Sequence, residues 1–313
     1  MIVVFGSVNL DLVARVARLP RPGETITGES FATLPGGKGA NQALAARRAG
    51  AEVAMAGAVG TDSFADDALS GLVAAGVDLG WVRRVGVPTG VALIHVDAAG
   101  QNAITVVPGA NAEAKADTVP DAALGPNTTL LLQLEVPMAA ACDVAVRAKR
   151  GGARVILNAA PAAELSMAFL DAVDVLIVNA LEAGTLGAAL AMPNAPEAFA
   201  AAMCKRGVST IVTLGARGVL AAADRTLFRI EAPAVEVVDT TGAGDAFAGV
   251  LAAALDRGTD WPTALAEGVA AGSLACTTPG AQRALPDAAA IRSLAASVAS
   301  KLRSGPLALT ASS

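Results

Sequence analysis

Short, almost wholly apolar runs recur along the chain, and longer stretches with a helical spacing of apolar residues separate them. The apolar runs are rich in β-branched residues, which is the pattern of parallel strands buried on both faces. We place such strands at residues 2–6, 128–134, 154–157, 173–178 and 210–214, with shorter ones at 219–222 and 227–230. We place helices at residues 40–49, 138–149, 195–206, 243–255, 261–276 and 287–302, and one directly after Asn179. This alternation predicts an α/β fold, organised as a single domain over residues 1–313.

Two segments interrupt the alternation, at about 12–35 and 81–107. The first contains turn signals but no helical period, and the second contains extended runs at 81–85, 91–96 and 103–107. Such runs outside the main pattern predict strands of a small separate sheet. We interpret this small sheet as a lid over the main one. The tail from residue 304 to 313 is expected to fray.

The turn at Gly242-Ala243-Gly244 leads from an extended segment at 235–238 into a helix. The start of a helix leaves backbone N–H groups unpaired and carries the positive end of the helix dipole, which suits a phosphoryl group. Asp245 lies in the first turn, where a carboxylate could take a proton from an attacking alcohol. From this stretch alone, Asp245 could equally serve only to complement the helix dipole.

Polar residues stand at the end of one predicted strand after another. Asn9, Glu135, Asn179 and Thr213 occupy such positions, and Asp11 follows Asn9 closely. Each alone could cap a turn, but ligands of open α/β sheets gather at the carboxyl edge of parallel strands. A binding crevice along that edge is therefore the better hypothesis.

A glycine-rich turn, Gly36-Gly37-Lys38-Gly39, precedes the helix at 40–49. Its glycines let the backbone approach a ligand closely, and Lys38 and Asn41 offer polar groups near the helix start. It is not a Walker A loop, since Gly39 follows the lysine and the first glycine is wrongly spaced. A plain turn with a solvated lysine is the alternative.

Composition narrows the class of ligand. The 313 residues are 54% hydrophobic and carry a formal net charge of -5 without a cluster of basic residues, which disfavours nucleic acid as a partner. Acidic residues break every apolar run before it reaches membrane-spanning length, and residues 1–10 form a strand pattern and not a signal peptide. We therefore expect a cytoplasmic protein with small ligands. With 3% aromatic residues and no tyrosine, stacking platforms for a nucleoside are scarce.

The motifs together resemble the ribokinase (PfkB) family of sugar kinases, over residues 2 to about 290. The resemblance rests on Asn9 and Asp11, the stretch from Gly36 to Ala43, Glu135, Asn179 to Glu182, Thr213 to Gly218, Asp239 to Asp245, and Gly280-Ala281-Gln282. It implies a three-layer sandwich with a mostly parallel central sheet and a small β-sheet lid. It also implies ATP-dependent phosphorylation of D-ribose at O5, and a homodimer formed through the lid.

The resemblance implies roles residue by residue. Asp245 matches the general base, and Gly242, Ala243 and Gly244 match the anion hole. The positions that hold the sugar hydroxyls are matched by Asn9, Asp11, Gly37, Lys38, Asn41 and Glu135. Nucleotide contacts are matched by Asn179, Thr213, Gly215 and Gly244. Glu182 matches the acid that acts on Mg²⁺ through water, and Asp239 and Thr241 match ligands of a monovalent cation, usually K⁺.

Two positions depart from the family pattern. Ala284 stands where ribokinases usually have a serine that helps to bind the cation, which leaves K⁺ activation open. Val269 stands where members often have Asn or His near the adenine, which leaves the nucleotide preference open.

Other functions remain as alternatives. Within the same fold, the substrate could be deoxyribose, another sugar or a nucleoside. A catalytically silent sugar-binding protein is a rival of another class, but it would have no need of both Asp245 and the Gly242-Ala243-Gly244 turn. A dehydrogenase is weaker, because no Gly-x-Gly-x-x-Gly follows the first strand.

Overall fold

A computed structural model describes residues 1–307 of the chain. Its strands are β1 (Ile2–Phe5), β2 (Asn9–Val16), β3 (Gly28–Gly36), β4 (Val53–Val59), β5 (Asp78–Arg84), β6 (Gly90–Val96), β7 (Asn102–Val107), β8 (Thr129–Leu132), β9 (Arg154–Asn158), β10 (Val175–Asn179), β11 (Ser209–Thr213), β12 (Val219–Ala223), β13 (Thr226–Ile230) and β14 (Arg303–Pro306). The helices are α1 (Lys38–Arg48), α2 (Phe64–Ala75), α3 (Met138–Gly151), α4 (Met167–Ala172), α5 (Ala180–Ala189), α6 (Pro196–Lys205), α7 (Ala243–Asp256), α8 (Trp261–Ala275), α9 (Ala281–Ala284) and α10 (Ala288–Ala299).

The large sheet of the described residues has ten strands in the order β14-β13-β12-β11-β10-β9-β8-β1-β4-β5. The strands from β11 to β5 in that order pair in parallel, and β12, β13 and β14 continue the sheet antiparallel. The parallel strands bring their carboxyl ends to one edge. The mostly parallel sheet predicted for an α/β fold is thereby confirmed.

Helices cover both faces of this sheet, which gives three layers. Within β1, Ile2 and Val4 belong to the core beneath α1, α2, α7, α8 and α10, whereas Val3 and Phe5 belong to the core beneath α3 to α6. All four side chains are fully buried. This explains why the strand has no polar alternation: a strand with helices on both faces has no face turned to water.

A second sheet has four strands in the order β3-β2-β6-β7. β2 pairs with β6 in parallel, and β3 and β7 flank them antiparallel. The small sheet that the two interruptions predicted is therefore present. Its action as a lid stays a proposal.

Some predicted elements were wrong. Residues 81–85 were assigned to the small sheet, but β5 pairs with β4 at the edge of the large one. Residues 235–238 form no strand; the chain here is held by the Cys276 carbonyl, which accepts from the Val238 and Asp239 N–H groups. Residues 303–306 form β14 against β13 where we expected a frayed tail, and residues 308–313 lie outside the described residues.

The crossing of α1 and α7 places the site. At Gly249 of α7, an added Cβ would lie 2.4 Å from the Gln42 carbonyl oxygen and 2.7 Å from Ala45 Cβ, so the two backbones approach as closely as glycine allows. The helices themselves are rich in alanine and glycine, and their small side chains permit this approach. The first turns of both helices therefore open onto the same volume at the carboxyl edge of the sheet.

Candidate active site

The first turn of α7 begins at Gly242, whose φ of +77° lies in the left-handed region. A Cβ here would be 2.9 Å from Ala281 Cβ, so both conformation and space require glycine. The Ala243 N–H donates to the Thr240 carbonyl at 3.2 Å, whereas the first N–H groups of a helix have no acceptor within the helix itself. Nothing lies within 4 Å of a Cβ built at Gly244. Open space therefore adjoins the start of this helix at Gly244, as an anion site at a helix N-terminus requires.

Asp245 is buried at 6% exposure in that first turn. Its Oδ2 accepts from Asn41 Nδ2 and its Oδ1 from Gln42 Nε2, each at 2.9 Å. Burial raises the pKa of Asp245, while the charge of Lys38 and the two amide donors act to lower it. A buried carboxylate with this many partners does more than complement a helix dipole. Burial and two amide donors distinguish Asp245 from an exposed first-turn acid.

Lys38 opens α1 directly after Gly37, whose φ of +88° again requires glycine. Burial by itself would lower the pKa of the Lys38 ammonium, but the negative charges of Asp245, Glu135 and Glu182 outweigh it and raise the pKa. Lys38 therefore stays charged at neutral pH and faces all three carboxylates.

Two further acids, Glu135 after β8 and Asp11 in β2, lie close enough to feel each other's charge. Glu135 Oε2 accepts from Ser7 Oγ at 2.6 Å and from the Lys38 backbone N–H at 3.1 Å. Burial, together with the charges of Glu135 and Asp245, raises the pKa of Asp11 to about 7. Asp11 is the third residue of β2, so the small sheet contributes directly to the site.

Asn9, which opens β2, is held by a residue that the sequence did not reveal. Asn111 Nδ2 donates to Asn9 Oδ1 at 2.7 Å, and the Val8 N–H donates to Asn111 Oδ1 at 2.8 Å. Asn111 lies in a short 3₁₀ helix (Gly109–Glu113) far from Asn9 in sequence. No local pattern could have indicated this contact. Ser7 and Gln133, by contrast, follow β1 and β8 as closely as the residues that we selected, and the same rule would have found them.

Asn179 and Glu182 form a reciprocal capping pair at the start of α5. The Glu182 N–H donates to Asn179 Oδ1 at 2.8 Å, and the Asn179 N–H donates to Glu182 Oε2 at 2.7 Å. Burial raises the pKa of Glu182, against the lowering effect of the Asn179 N–H and of Lys38. Asn179 is also the register partner of Thr213 across β10 and β11, and Gly215 follows shortly after. Glu182 lies close enough to Lys38 to feel its charge, so this capping pair adjoins the group formed by Lys38, Glu135 and Asp245.

Asp239 joins the loop before α7 to the loop before α9. Its Oδ1 accepts from the Thr241 N–H at 2.9 Å and its Oδ2 from the Gly280 N–H at 2.8 Å. Burial would raise the pKa of Asp239, but these hydrogen bonds and the charge of Arg15 outweigh it and lower the pKa. Ala284 is buried at 7% exposure and offers no side-chain oxygen to a cation.

Two negative findings hold for residues 1–307. No group of three or more His, Cys, Asp or Glu side chains there is arranged to hold a metal ion. No helix within that range combines the length and apolar character needed to cross a membrane.

The pfkB family of carbohydrate kinases matches residues 1–288. The chain belongs to the PfkB family. The ribokinase of Haemophilus influenzae is 35% identical over 288 residues, which cover 90% of this chain and 94% of that protein. The deoxyribokinase of Salmonella typhi is 33% identical over 291 residues, which cover 91% and 95% of the two chains. This PfkB protein is thus an enzyme that transfers phosphate to a sugar hydroxyl.

Solved structures of PfkB kinases have the same fold. A ribokinase of Thermotoga maritima superposes with a TM-score of 0.87 at 33% identity, covering 94% of this chain and 98% of its own. A ribokinase of Arabidopsis thaliana in complex with ribose and ATP gives a TM-score of 0.84, also at 33% identity, with 94% and 98% coverage. The PfkB resemblance inferred from the motifs is therefore confirmed, together with its three-layer fold.

Proposed function

We propose that this PfkB kinase transfers the γ-phosphoryl group of ATP to O5 of D-ribose. The observation that carries the proposal is the position of Asp245: a buried carboxylate in the first turn of α7, directly beyond the amides of the Gly242–Gly244 turn. A proton acceptor and an anion site in one volume are the two parts that phosphoryl transfer to an alcohol needs. The ribose-binding relative of the same fold supports the choice of sugar.

The sugar hydroxyls are assigned to the polar cluster around Lys38. Asn9, Asp11, Lys38, Asn41 and Glu135 offer donors and acceptors on several sides, and Gly37 lets the backbone come close. Within residues 1–307, Asn41 Oδ1 is buried without a hydrogen-bond partner. Such an orphan acceptor costs free energy unless a donor arrives, and a sugar hydroxyl is a fitting donor.

The reaction follows from these positions. Asp245 takes the proton of the O5 hydroxyl as the bond from O5 to the γ-phosphorus forms and the bond from that phosphorus to the leaving ADP oxygen breaks. The amides of Gly242, Ala243 and Gly244 stabilise charge on the moving phosphoryl group, with Lys38 nearby as a cation. Asn41 and Gln42 hold the carboxylate through the hydrogen bonds described above.

The nucleotide side is assigned to Asn179, Thr213, Gly215 and Gly244. Magnesium fits beside Glu182, because only Oε2 of that carboxylate is used in the capping pair and carboxylate oxygens suit this ion. Bound there with the triphosphate, Mg²⁺ would neutralise phosphate charge. Glu182 would hold it through water.

A monovalent cation, K⁺ by analogy, fits the loop of Asp239 and Thr241 in part. The lowered pKa of Asp239 keeps its negative charge, and the carbonyl of Thr241 adjoins the anion turn. Ala284 removes one side-chain ligand, so we expect weaker K⁺ stimulation than a serine would give.

The small sheet would act as a lid that excludes water from the γ-phosphate, because it carries Asp11 into the site. A homodimer through this sheet is supported by its exposed apolar side chains, such as Phe31 and Ile104. Use of ATP and a sugar is consistent with a cytoplasmic enzyme.

A second candidate is 2-deoxyribose, which the similarity to a deoxyribokinase favours almost as strongly. The two sugars differ by one hydroxyl. A site built to hydrogen-bond that hydroxyl rejects the analogue lacking it by large factors, on the order of 10⁴. Turnover on the two sugars therefore separates the candidates.

The test measures ATP consumption with Mg²⁺ and ribose, 2-deoxyribose, fructose, adenosine or uridine, each with and without K⁺. Turnover on ribose is expected. Turnover only on another substrate would keep the mechanism and overturn the sugar, and binding of ribose without turnover would indicate a silent sugar-binding protein.

Replacing Asp245 by Asn should lower kcat roughly 10²- to 10⁴-fold with a smaller change in KM, the usual contribution of a general base. Asp66→Asn is the matched control, since Asp66 is also a first-turn acid but on the exposed surface of α2. If the two substitutions changed kcat equally, Asp245 would only complement the helix dipole and would not act as a base.

A further inference from the structure

Three buried side chains form a linear chain of hydrogen bonds that ends at Asp245. Gln133 Nε2 donates to Gln42 Oε1 at 2.7 Å, and Gln42 Nε2 donates to Asp245 Oδ1 at 2.9 Å. Gln42 and Gln133 are fully buried and Asp245 is 6% exposed. These hydrogen bonds connect the end of β8, the first half of α1 and the first turn of α7.

The charge of the Asp245 carboxylate sets the donor and acceptor direction of each hydrogen bond in this series. An ionised carboxylate can only accept, so Gln42 must turn its NH₂ group towards Asp245 and its oxygen towards Gln133. Gln133 must then present its own NH₂ group to Gln42. Its remaining oxygen has no partner within residues 1–307, so the cost of an orphan acceptor falls on the residue farthest from Asp245.

Close packing fixes both glutamines. The Gln133 side chain lies against Gly6, where an added Cβ would come within 1.9 Å of Gln133 Oε1. The backbone of Gln42 is fixed against Gly249 of α7, as described for the helix crossing. The Gln42 amide is held at both ends, by Gln133 and by Asp245, and the second carboxylate oxygen is held separately by Asn41.

We propose that Gln42, oriented by Gln133, is a positioning residue that keeps Asp245 ionised and aimed at the attacking hydroxyl. This inference rests on the proposed function, in which Asp245 is the base. Gln42 holds Oδ1 in place, so the proton from the sugar must go to the side of the carboxylate that faces the substrate. Gln42 acts on the reaction only through Asp245.

The charged groups around Asp245 set the effect of losing this bond. Lys38 of α1 lowers the pKa of Asp245 and Glu135, after β8, raises it, while Asp11 of β2 lies close enough to feel the charge of Asp245. Burial also favours the protonated form. Without the Gln42 donor, less opposes burial, so the pKa of Asp245 should rise.

The experiment compares Gln42→Met, Gln133→Met and wild type by kcat over pH 5.5 to 9 with ribose and ATP. Methionine keeps the length of glutamine without its amide. For Gln42→Met we expect kcat to fall roughly 10- to 100-fold, as for loss of a hydrogen bond to a charged group, with the KM for ribose within about twofold. The acid limb of the kcat profile should move to higher pH by about one unit. Gln133→Met should show the same changes at smaller size.

Gln282→Met is the matched control. Gln282 is another buried glutamine, at 5% exposure, but it lies against Gly71 of α2 and makes no hydrogen bond to Asp245. The acid limb of the kcat profile of Gln282→Met should stay at the wild-type pH. Folded Gln42→Met and Gln133→Met variants with an unmoved acid limb would overturn the proposal.

A second readout does not depend on turnover. In protein labelled with ¹³C at the aspartate carboxyl groups, the Asp245 signal, assigned with Asp245→Asn, should titrate at higher pH in Gln42→Met than in wild type. If wild type phosphorylates no sugar, the proposed function fails while this titration still tests the positioning. If Gln42→Met does not fold, Gln133→Met decides through the same signal, and an unmoved titration there rejects the inference.

Discussion

The burial of Asp11 destabilises the free protein whenever its carboxyl group is charged. Its carboxyl is removed from water and lies near two other acids, so its pKa of about 7 is far above the usual value of 3.8. A group of this kind disfavours folding in its charged form until a partner binds it. Sugar hydroxyls beside Lys38 would be such partners.

Replacing Asp11 by Asn should remove a pH-dependent cost. The unfolded chain ionises Asp11 near 3.8 and the folded chain near 7, so the free energy of unfolding of wild type falls as pH rises through that interval. The variant lacks this slope. As pH rises from 4 to 7, the free energy of unfolding of the variant should increase relative to wild type by on the order of 2 to 4 kcal/mol. Urea unfolding at several pH values measures this difference.

Asp62→Asn provides the contrast for that measurement. Burial opposes the charge of Asp62, but hydrogen bonds from Thr89 and neighbouring N–H groups outweigh it and lower its pKa. Its contribution is present above the unfolded pKa and is lost as pH falls through the lower folded pKa. For each variant, the difference in free energy of unfolding from wild type is followed against pH. If this difference changes in the same direction in both variants, the Asp11 result reflects general acid sensitivity.

At the level of elements, the first turn of α7 contains two glycines with different reasons to be glycine. Gly242 has positive φ and would collide with Ala281, whereas Gly244 has helical conformation and open space around it. Gly242→Ala should destabilise the fold by more than about 1 kcal/mol. Gly244→Ala should leave stability unchanged or raise it by up to about 1 kcal/mol, because alanine favours helix.

Gly244→Ala, which should keep its stability, is nevertheless expected to lose activity. We expect Gly244→Ala to lower kcat at least about tenfold, because its methyl group would enter the space assigned to the phosphoryl group. Thermal unfolding and kcat measured on the same preparations check this. A fully active Gly244→Ala variant would exclude this turn as the anion site.

The start of α5 combines capping with a proposed nucleotide contact. Asn179→Ala should cost about 1 kcal/mol, because it removes the acceptor for the Glu182 N–H. Asn179→Asp keeps that acceptor and should preserve stability, but its charge would face the phosphates and raise the KM for ATP roughly tenfold or more. Stability and KM are measured for both variants.

Ser166→Ala is the control for capping alone, since Ser166 accepts from the Phe169 N–H at the start of α4. It should lower stability without changing the KM for ATP. An unchanged KM in Asn179→Asp would limit Asn179 to its structural role.

For the whole molecule, the outer strands of the small sheet bear on assembly. Phe31, Leu93, Ile104, Val106 and Val107 are 41% to 67% exposed in this sheet. Cross-strand partners place Ile104 beside Ile94, on the same face as Asp11. Apolar side chains on a sheet with open edges favour association with a second copy.

Light scattering should therefore give about twice the 30.8 kDa of one chain. Ile104→Glu should shift the protein towards the mass of one chain, because a charge would be buried in the proposed interface. Val146→Glu, at a 42% exposed valine on α3, should leave the mass unchanged. A wild-type protein that is already a single chain would contradict dimerisation through the small sheet.

Much of the fold followed from local pattern. The runs at 128–134, 173–178 and 210–214 correspond to β8, β10 and β11, and the predicted helix at 243–255 is α7 within one residue. Each of these was marked by a continuous apolar run or by alanine-rich periodicity. Residues 81–85 were placed in the wrong sheet, because an extended run specifies a strand but not its pairing partner.

For the candidate site, too, local sequence predicted some residues and only tertiary contacts revealed others. Asp245, Lys38 and Glu135 stood in motifs or at strand ends, and the sequence by itself determined that these groups, a glycine turn and a helix start exist in this chain. Only the tertiary structure decided that Asn111 holds Asn9 and that Gln133 and Gln42 lead to Asp245. Local backbone preference and burial are encoded over a few residues, whereas these contacts join segments some 90 to 200 residues apart. They exist only because two helices cross at a glycine and parallel strands end at one edge.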